Sequence, residues 1–212
     1  MKLHWSPKSP FVRKVMIVAH EHGLAERITR VRTVAETTEP SAALMADNPL
    51  NKIPTLVLDD GTVLQDSRVI CEYLDCMGSG PRLFPTDGRA RWHALRRQAL
   101  GDGLLDVLLV WRHERLRPES LRSTLYLNAY ATKVARTLER LEAEAAAESH
   151  AFDIGDVAIG CALAHLDFRF ADLQWRSRHP RLAAWEHRFA ARPSVVATAI
   201  VDDSLPAQAT RA

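Results

Sequence analysis

What this chain of 212 residues lacks narrows its class before any motif is read. No run of about 18 apolar residues is present to span a bilayer. The opening MKLHWSPKSP has a polar break where a secretory signal needs its apolar stretch, so a cytoplasmic location and no membrane partner are expected. Charge of one sign is missing as well. The 28 Lys and Arg against 26 Asp and Glu leave +2, too little to call for nucleic acid or an anionic lipid surface without a local patch. Only 9 glycines and 11 prolines stand against 47% hydrophobic and 25% charged residues, which excludes a low-complexity chain. Cys71, Cys76 and Cys161 are odd in number and have no C-x-x-C spacing, so neither a disulfide framework nor a redox pair is expected, and each reads as a small buried hydrophobe. His20 and His22 share no helix face and no acid or cysteine completes a ligand set with them, so no metal is expected.

What is present divides at a Pro/Gly-rich stretch, Gly78 to Pro81 and then Leu83 to Gly88, which can continue neither helix nor strand. Before it, short β-like runs alternate with short helical ones; after it nearly everything has helical period. The reading is an α/β domain over residues 1–78, a linker over 79–88 and an all-α bundle over 89–212. In the first part Lys2 to Trp5 reads as a strand, Ser9-Pro10 as the cap and first turn of a helix, and Ile28 to Val34 as a half-buried strand. Thr55 to Leu58 and Thr62 to Gln65 flank the hairpin signal Asp59-Asp60-Gly61, and Asp66-Ser67 caps a last helix through Leu74. In the second part Thr86 is placed to cap a helix from about Arg89 to Leu116, and another runs from near Ser120 to about Ala147 with Leu125, Leu127, Val134, Leu138 and Leu141 inward. A third begins at Asp153, with Asp156 at the capping-box position and Phe152 and Val157 as a staple. Shorter helices follow Pro180 and Pro193.

Three turns could carry chemistry. Ser6-Pro7-Lys8-Ser9-Pro10-Phe11 delivers two hydroxyls to the positive end of a helix. Asn48 to Thr55 sets Pro54 directly before an apolar strand, where the proline is excused from the ladder or held cis, leaving the backbone of Ile53 free to pair with an extended ligand. At Gln65-Asp66-Ser67-Arg68 the helix-start amides suit a carboxylate and the Asp66 side chain an ammonium. Each turn alone reads equally well as capping.

Together, and in this order, the three turns resemble the glutathione-binding half of the glutathione transferase family, and the resemblance covers essentially the whole chain. Asn48 to Pro54 looks like the family's segment ending in cis-proline, Asp66-Ser67 like its γ-glutamyl-binding pair, and Phe152 to Ala158 like its capping segment, with Asp153 where Ser or Thr is usual. Arg89 to Pro118 looks most like a bacterial subgroup. The resemblance implies an N-terminal thioredoxin-like domain, a C-terminal helical bundle, a homodimer, and glutathione as co-substrate. It places Ser9 as the group that activates the thiol, either Ser9 or Ser6 being available as donor. It places Phe11, Lys52, Ile53, Pro54, Asp66 and Ser67 on the tripeptide, with Asp102 reaching across a dimer interface, and it sets Leu104, Leu108, Trp111, Arg112 and Arg115 around an electrophilic acceptor. Arg112 and Arg115 would favour an anionic or polar one.

The chemistry is affordable for a hydroxyl. Lowering a thiol of pKa about 8.5 by about two units takes roughly 2.7 kcal/mol. A hydrogen bond to a charged group contributes about 1.5–3 kcal/mol and a helix start about 0.3–1. The first turn holds no cysteine, so disulfide-reductase or cysteine-dependent lyase chemistry is excluded. A glutathione-binding or protein-interaction module with little turnover, and a specialised dehalogenase or isomerase, stay open beside the transferase.

Overall fold

The computed structural model describes residues 1–145 and 150–204. Four strands form one mixed sheet: β1 (Lys2–Trp5), β2 (Thr29–Arg32), β3 (Thr55–Val57) and β4 (Val63–Leu64), in the order β2-β1-β3-β4. β1 runs parallel to β2 and antiparallel to β3, which is antiparallel to β4. The register places His4 opposite Thr55 and Leu56 opposite Leu64. The C-terminal end of β1, the N-terminal end of β3 and the C-terminal end of β4 therefore lie along one edge of the sheet. All three candidate turns leave from that edge.

Between the strands come α1 (Pro10–Glu21), α2 (Ala42–Asp47) and α3 (Ser67–Met77). Helix α1 starts where Ser9 caps it and Pro10 presets its first φ, and Val12 and Lys14 to Ala19 are buried along it. The β3–β4 hairpin turns at Gly61, whose φ of +88° a residue with a Cβ adopts only under strain. β2 does not show the half-burial its alternation predicts. All four of its residues are exposed because it is the sheet edge, and burial falls on the flanking Ile28 and Thr33.

The second half comprises α4 (Gly88–Leu116), α5 (Thr124–Ala145), α6 (Ile154–Arg169), α7 (Pro180–Ala190) and α8 (Pro193–Val196). The cap of α4 is Asp87 rather than Thr86: its carboxylate accepts from the amides of Arg89 and Ala90 at 3.1 and 3.2 Å, two bonds where a hydroxyl offers a weaker acceptor. Helix α5 begins after a 3-10 turn at Glu119–Leu121, and the expected stretch to Ala147 runs beyond its last described residue, Ala145. Val134, Leu138 and Leu141 face inward as read, but Leu125, in the first turn of α5, is 77% exposed. At α6 the Asp153–Asp156 capping box is complete in both directions, and Phe152 and Val157 join the same apolar cluster.

Helix α6 is buried on all sides and packs against α4, α1 and α7. Its approach to α4 is close enough that a Cβ on Gly101 would stand 2.6 Å from the Ala158 carbonyl carbon, which requires glycine there. The linker is built into the core: Leu83 and Phe84 are buried, Leu83 donates its amide to Asp75 (2.6 Å) and accepts from Ile154 (3.0 Å). His22, weighed on sequence only as a metal ligand, is buried beside the same Asp75 at 2.9 Å.

Candidate glutathione site

Ser9 is an extended residue whose Oγ accepts from the amide of Val12 at 3.3 Å. Its own amide donates to the Ser6 carbonyl at 3.2 Å, closing the turn. A capping hydroxyl uses a lone pair, not its proton, and among the described residues nothing accepts from the Ser9 O–H. Ser9 is half-buried, whereas Ser6 is only 8% exposed and accepts from the Lys8 amide at 3.4 Å. Of the two hydroxyls Ser9 is the more accessible.

The second turn is held from beneath by Asn48, 1% exposed. Its amide group donates to the Lys52 carbonyl (3.1 Å) and to Thr55 Oγ1 (2.9 Å), while its Oδ1 accepts from Leu50 (3.0 Å). Thr55 in turn donates to the Lys52 carbonyl at 2.8 Å. Asn51 takes a positive φ of 52°, and its side chain ties the loop to Ser41 and Glu36. The Ile53–Pro54 peptide bond is cis. With the loop so fixed, the N–H and C=O of half-buried Ile53 have no hydrogen-bond partner among the described residues, and Lys52 is exposed beside them.

In the third turn Asp66 caps α3 by accepting from the Arg68 amide at 2.8 Å. The Gln65–Asp66 bond is also cis. The amide of Ser67, at the first helical position, is one of the orphan donors of a helix start and finds no partner among the described residues.

Beneath these turns lies a group that sequence reading missed. Lys14 and Asp102 are buried, with Nζ and Oδ1 2.6 Å apart, and Asp102 Oδ2 accepts from Arg68 Nε at 2.9 Å. One carboxylate thereby joins α1, α3 and α4. The hydrogen bond to Asp102 holds the Arg68 guanidinium above its ordinary pKa. The signal was a lysine amid the buried face of α1, opposite an acid flanked by Gly101 and Gly103. The expectation that Asp102 reaches a ligand across a dimer interface is corrected: it is 1% exposed and both its oxygens are taken within its own chain. Asp106, one turn further along α4, is pushed above the usual carboxylate range by burial and by the Asp102 charge, against the pull of Arg68 and Lys52.

The acceptor wall also needs correction. Leu104, Leu108 and Trp111 are at most 6% exposed and belong to the core between α4, α5 and α6, where Trp111 stacks near Phe170 at 4.9 Å. Arg115 is engaged by Asp172 at 3.0 Å and lies over the Phe170 ring. Arg112 is half-buried and has no ion-pair partner among the described residues. Near it on α6 is His165, 3% exposed, both ring nitrogens unpartnered; burial first, then the Arg169 and Arg112 charges, pushes its pKa down to about 4. Phe11 packs against the helical core and receives Lys14 at 5.7 Å from its ring centre.

Two other expectations concern cysteines and metal. Cys71 and Cys161 are buried, with burial pushing their thiols up to about 12 and about 11, but Cys76 is exposed near the end of α3 and is no core residue. His150, Asp153 and Asp156 bring possible ligand atoms within 4.8 Å of one another, a juxtaposition the sequence did not reveal. Arg97 already occupies it, donating to Asp153 at 3.0 Å and to Asp156 at 2.6 Å.

A four-stranded mixed sheet whose three candidate turns share one edge, joined to a helical half, is the architecture of glutathione transferases, and the chain belongs to the glutathione S-transferase family. The family's N-terminal domain model matches residues 8–76 and its C-terminal domain model residues 124–188. Among curated proteins the chain is similar to an uncharacterized GST-like protein, YibF, of Escherichia coli K12: 31% identity over 202 residues, 93% of this chain and 98% of that one. Among solved structures it is similar to a glutathione transferase family member from Pseudomonas fluorescens Pf-5 with bound glutathione. That match has a TM-score of 0.88 at 44% identity, covering 94% and 98% of the two chains. A second structure from the same organism carries S-(propanoic acid)-glutathione and matches at a TM-score of 0.83 and 42% identity, over 93% and 98%. Among the described residues no helix is long and apolar enough to cross a membrane.

Proposed function

We propose that the chain is a glutathione transferase that lays glutathione along the β1-β3-β4 edge, holds its sulfur as thiolate at Ser9 and transfers it to an electrophilic small molecule. One observation carries the reading. The Ser9 O–H, the Ile53 N–H and C=O, and the Ser67 N–H all leave the same sheet edge without partners among the described residues. Polar groups fixed in position yet unpaired suit an extended peptide ligand, which satisfies backbone groups as an added strand would. The glutathione bound in the Pseudomonas relative supports the same ligand here.

In this reading Ile53 pairs with the cysteinyl backbone and Lys52 with the glycine carboxylate. The Ser67 amide and the Asp66 carboxylate take the two ends of the γ-glutamyl group, and Phe11 and Pro54 shape the apolar side of the cleft. Asp102 is a positioning residue: through Arg68 it fixes the start of α3. Ser9 donates to the sulfur while its lone pair still caps α1. The thiolate attacks carbon, the leaving group departs with its electron pair, and Ser9 never becomes covalent.

For the acceptor, Arg112, without an ion-pair partner among the described residues, favours a molecule with negative charge, and the S-(propanoic acid)-glutathione held by a relative is a conjugate of that kind. We further infer a homodimer, supported by the exposed apolar residues Val69 on α3, Trp92 on α4 and Leu125 on α5. Calorimetric titration with glutathione, followed by an electrophile panel read by product mass spectrometry, tests the reading. Saturable binding with glutathione adducts, preferentially from acidic electrophiles, is expected. No binding at millimolar concentration overturns it, and binding without any adduct reduces it to a glutathione-binding module.

A further inference from the structure

One buried polar side chain has no part in thiol activation. His165 is 3% exposed, yet neither ring nitrogen has a hydrogen-bond partner among the described residues. A neutral imidazole has one N–H to donate and one nitrogen to accept, and leaving both unmet in the interior is costly. The ring is fixed by an edge contact with Phe168, centres 6.4 Å apart.

Two guanidiniums gather beside it. Arg169 stands four residues further along α6 and so shares its face, and Arg112 comes from α4. Burial and then the Arg112 charge hold Arg169 below its ordinary pKa, against the pull of Asp202. Like charges gathered in a half-buried setting oppose one another unless an anion joins them. Arg112 has no ion-pair partner among the described residues. Arg169 has one, Asp202, at 3.6 Å, outside hydrogen-bonding distance, while its guanidinium carbon is held 3.7 Å from the Phe168 ring centre.

Asp202 lies in the chain beyond α8 and is loosely engaged. Its side chain is 44% exposed, Lys8 Nζ is 3.9 Å away, and its short hydrogen bonds come from the neighbouring Ser204, at 2.6 Å from the hydroxyl and 3.2 Å from the amide. Lys8 immediately precedes Ser9, and the amide of Val201 donates to the Pro7 carbonyl at 3.4 Å. The Asp202 carboxylate therefore sits between the end of α6 and the turn that presents the Ser9 hydroxyl.

We propose that Arg112 and Arg169 bind a carboxylate of the acceptor, that His165 gives it a further N–H donor, and that Asp202 keeps the place until the acceptor displaces it. This rests on the transferase reading and narrows its acceptors to electrophiles that carry a carboxylate. A guanidinium takes a carboxylate through two parallel hydrogen bonds, which Asp202 at 3.6 Å does not make, so the incoming acid gains contacts that the chain does not offer. A neutral imidazole donates there without adding a third repelling charge.

Calorimetric titration of the full chain with S-(4-carboxybutyl)glutathione and S-pentylglutathione separates the carboxylate from the tripeptide. The acid is expected to bind about tenfold more tightly than the alkyl conjugate, the worth of one charge-assisted hydrogen bond. Arg169→Gln is expected to bring this ratio to within about twofold, and His165→Leu to lower it about threefold. Asp202→Asn, at an exposed position, is expected to raise the ratio about threefold by removing the competing carboxylate, an effect that loss of a merely structural contact does not produce. Equal binding of the two conjugates by wild type overturns the proposal and leaves the glutathione reading standing. A ratio unmoved in Arg169→Gln or His165→Leu, or unmoved or lowered in Asp202→Asn, does the same. Failure of both conjugates to bind overturns the proposal and the glutathione reading together.

Discussion

The ammonium of Lys14 lies 2.6 Å from Oδ1 of Asp102, both groups buried, and this contact fastens the first helix of the sheet domain to the long helix of the bundle. Breaking such a pair from one side leaves a buried charge alone, at a cost of about 3–5 kcal/mol. Asp102→Ala is therefore expected to lower unfolding free energy in urea by that order and, by releasing Arg68, to weaken glutathione binding. The double change Lys14→Met with Asp102→Leu is expected to recover most of the stability, because neither charge then remains to be paired, but not the affinity. Recovery of both in the double variant would separate Arg68 from the site.

Asn48 is a second support. Asn48→Ala removes the donors that hold the Lys52 carbonyl and Thr55 Oγ1 in a buried setting, a loss of about 1–3 kcal/mol. Glutathione affinity, measured by calorimetry, is expected to fall with it, since the free backbone of Ile53 is aimed by this loop. An affinity equal to wild type would show that Ile53 is not a ligand contact.

His165 sets a pH dependence. Its folded pKa is pushed down to about 4 from an ordinary 6.5, by burial and then by Arg169 and Arg112. Between those values the unfolded chain holds a proton that the folded chain does not, so stability falls as pH drops from 6.5 toward 4. The slope is at most about 1.4 kcal/mol per pH unit and the total on the order of 3 kcal/mol. Denaturant unfolding across this window is expected to show the slope in wild type and its loss in His165→Leu. A wild-type chain whose stability is flat there contradicts the assignment.

The corrected acceptor wall separates two substitutions. Leu108→Ala empties core between α4, α5 and α6 and is expected to cost about 2–5 kcal/mol without changing which electrophiles react. Arg112→Glu is expected to leave stability within about 0.5 kcal/mol and to depress turnover of acidic electrophiles at least tenfold relative to neutral ones. Steady-state rates on a matched acid and amide pair decide the matter.

Much of this was legible in the sequence because it is local. Ser9-Pro10, Asp59-Asp60-Gly61 and the Asp153–Asp156 capping box carry their conformation in neighbouring residues, and the structure realises each where the residues place it. The three candidate turns were legible for the same reason, being helix starts and a pre-proline segment. What escaped depends on distant partners. A Lys–Asp pair 88 positions apart has no signature beyond a charge on an apolar face. The helical period of Leu104, Leu108 and Trp111 shows that they share a stripe but not whether the stripe meets a cleft or another helix; α5 and α6 cover it. The exposure of all of β2 follows from its place at the sheet edge, which strand alternation alone does not encode.

A Ser9 hydroxyl that donates to a sulfur anion must lower the thiol pKa of bound glutathione, which is followed directly by ultraviolet thiolate absorbance against pH. In wild type it is expected well below the free value of about 8.5. In Ser9→Ala, with glutathione still bound, it is expected to rise by about 1–2 units, the equivalent of one hydrogen bond to a charged group, while Ser6→Ala leaves it in place. A bound thiol that titrates identically in wild type and Ser9→Ala would contradict the account.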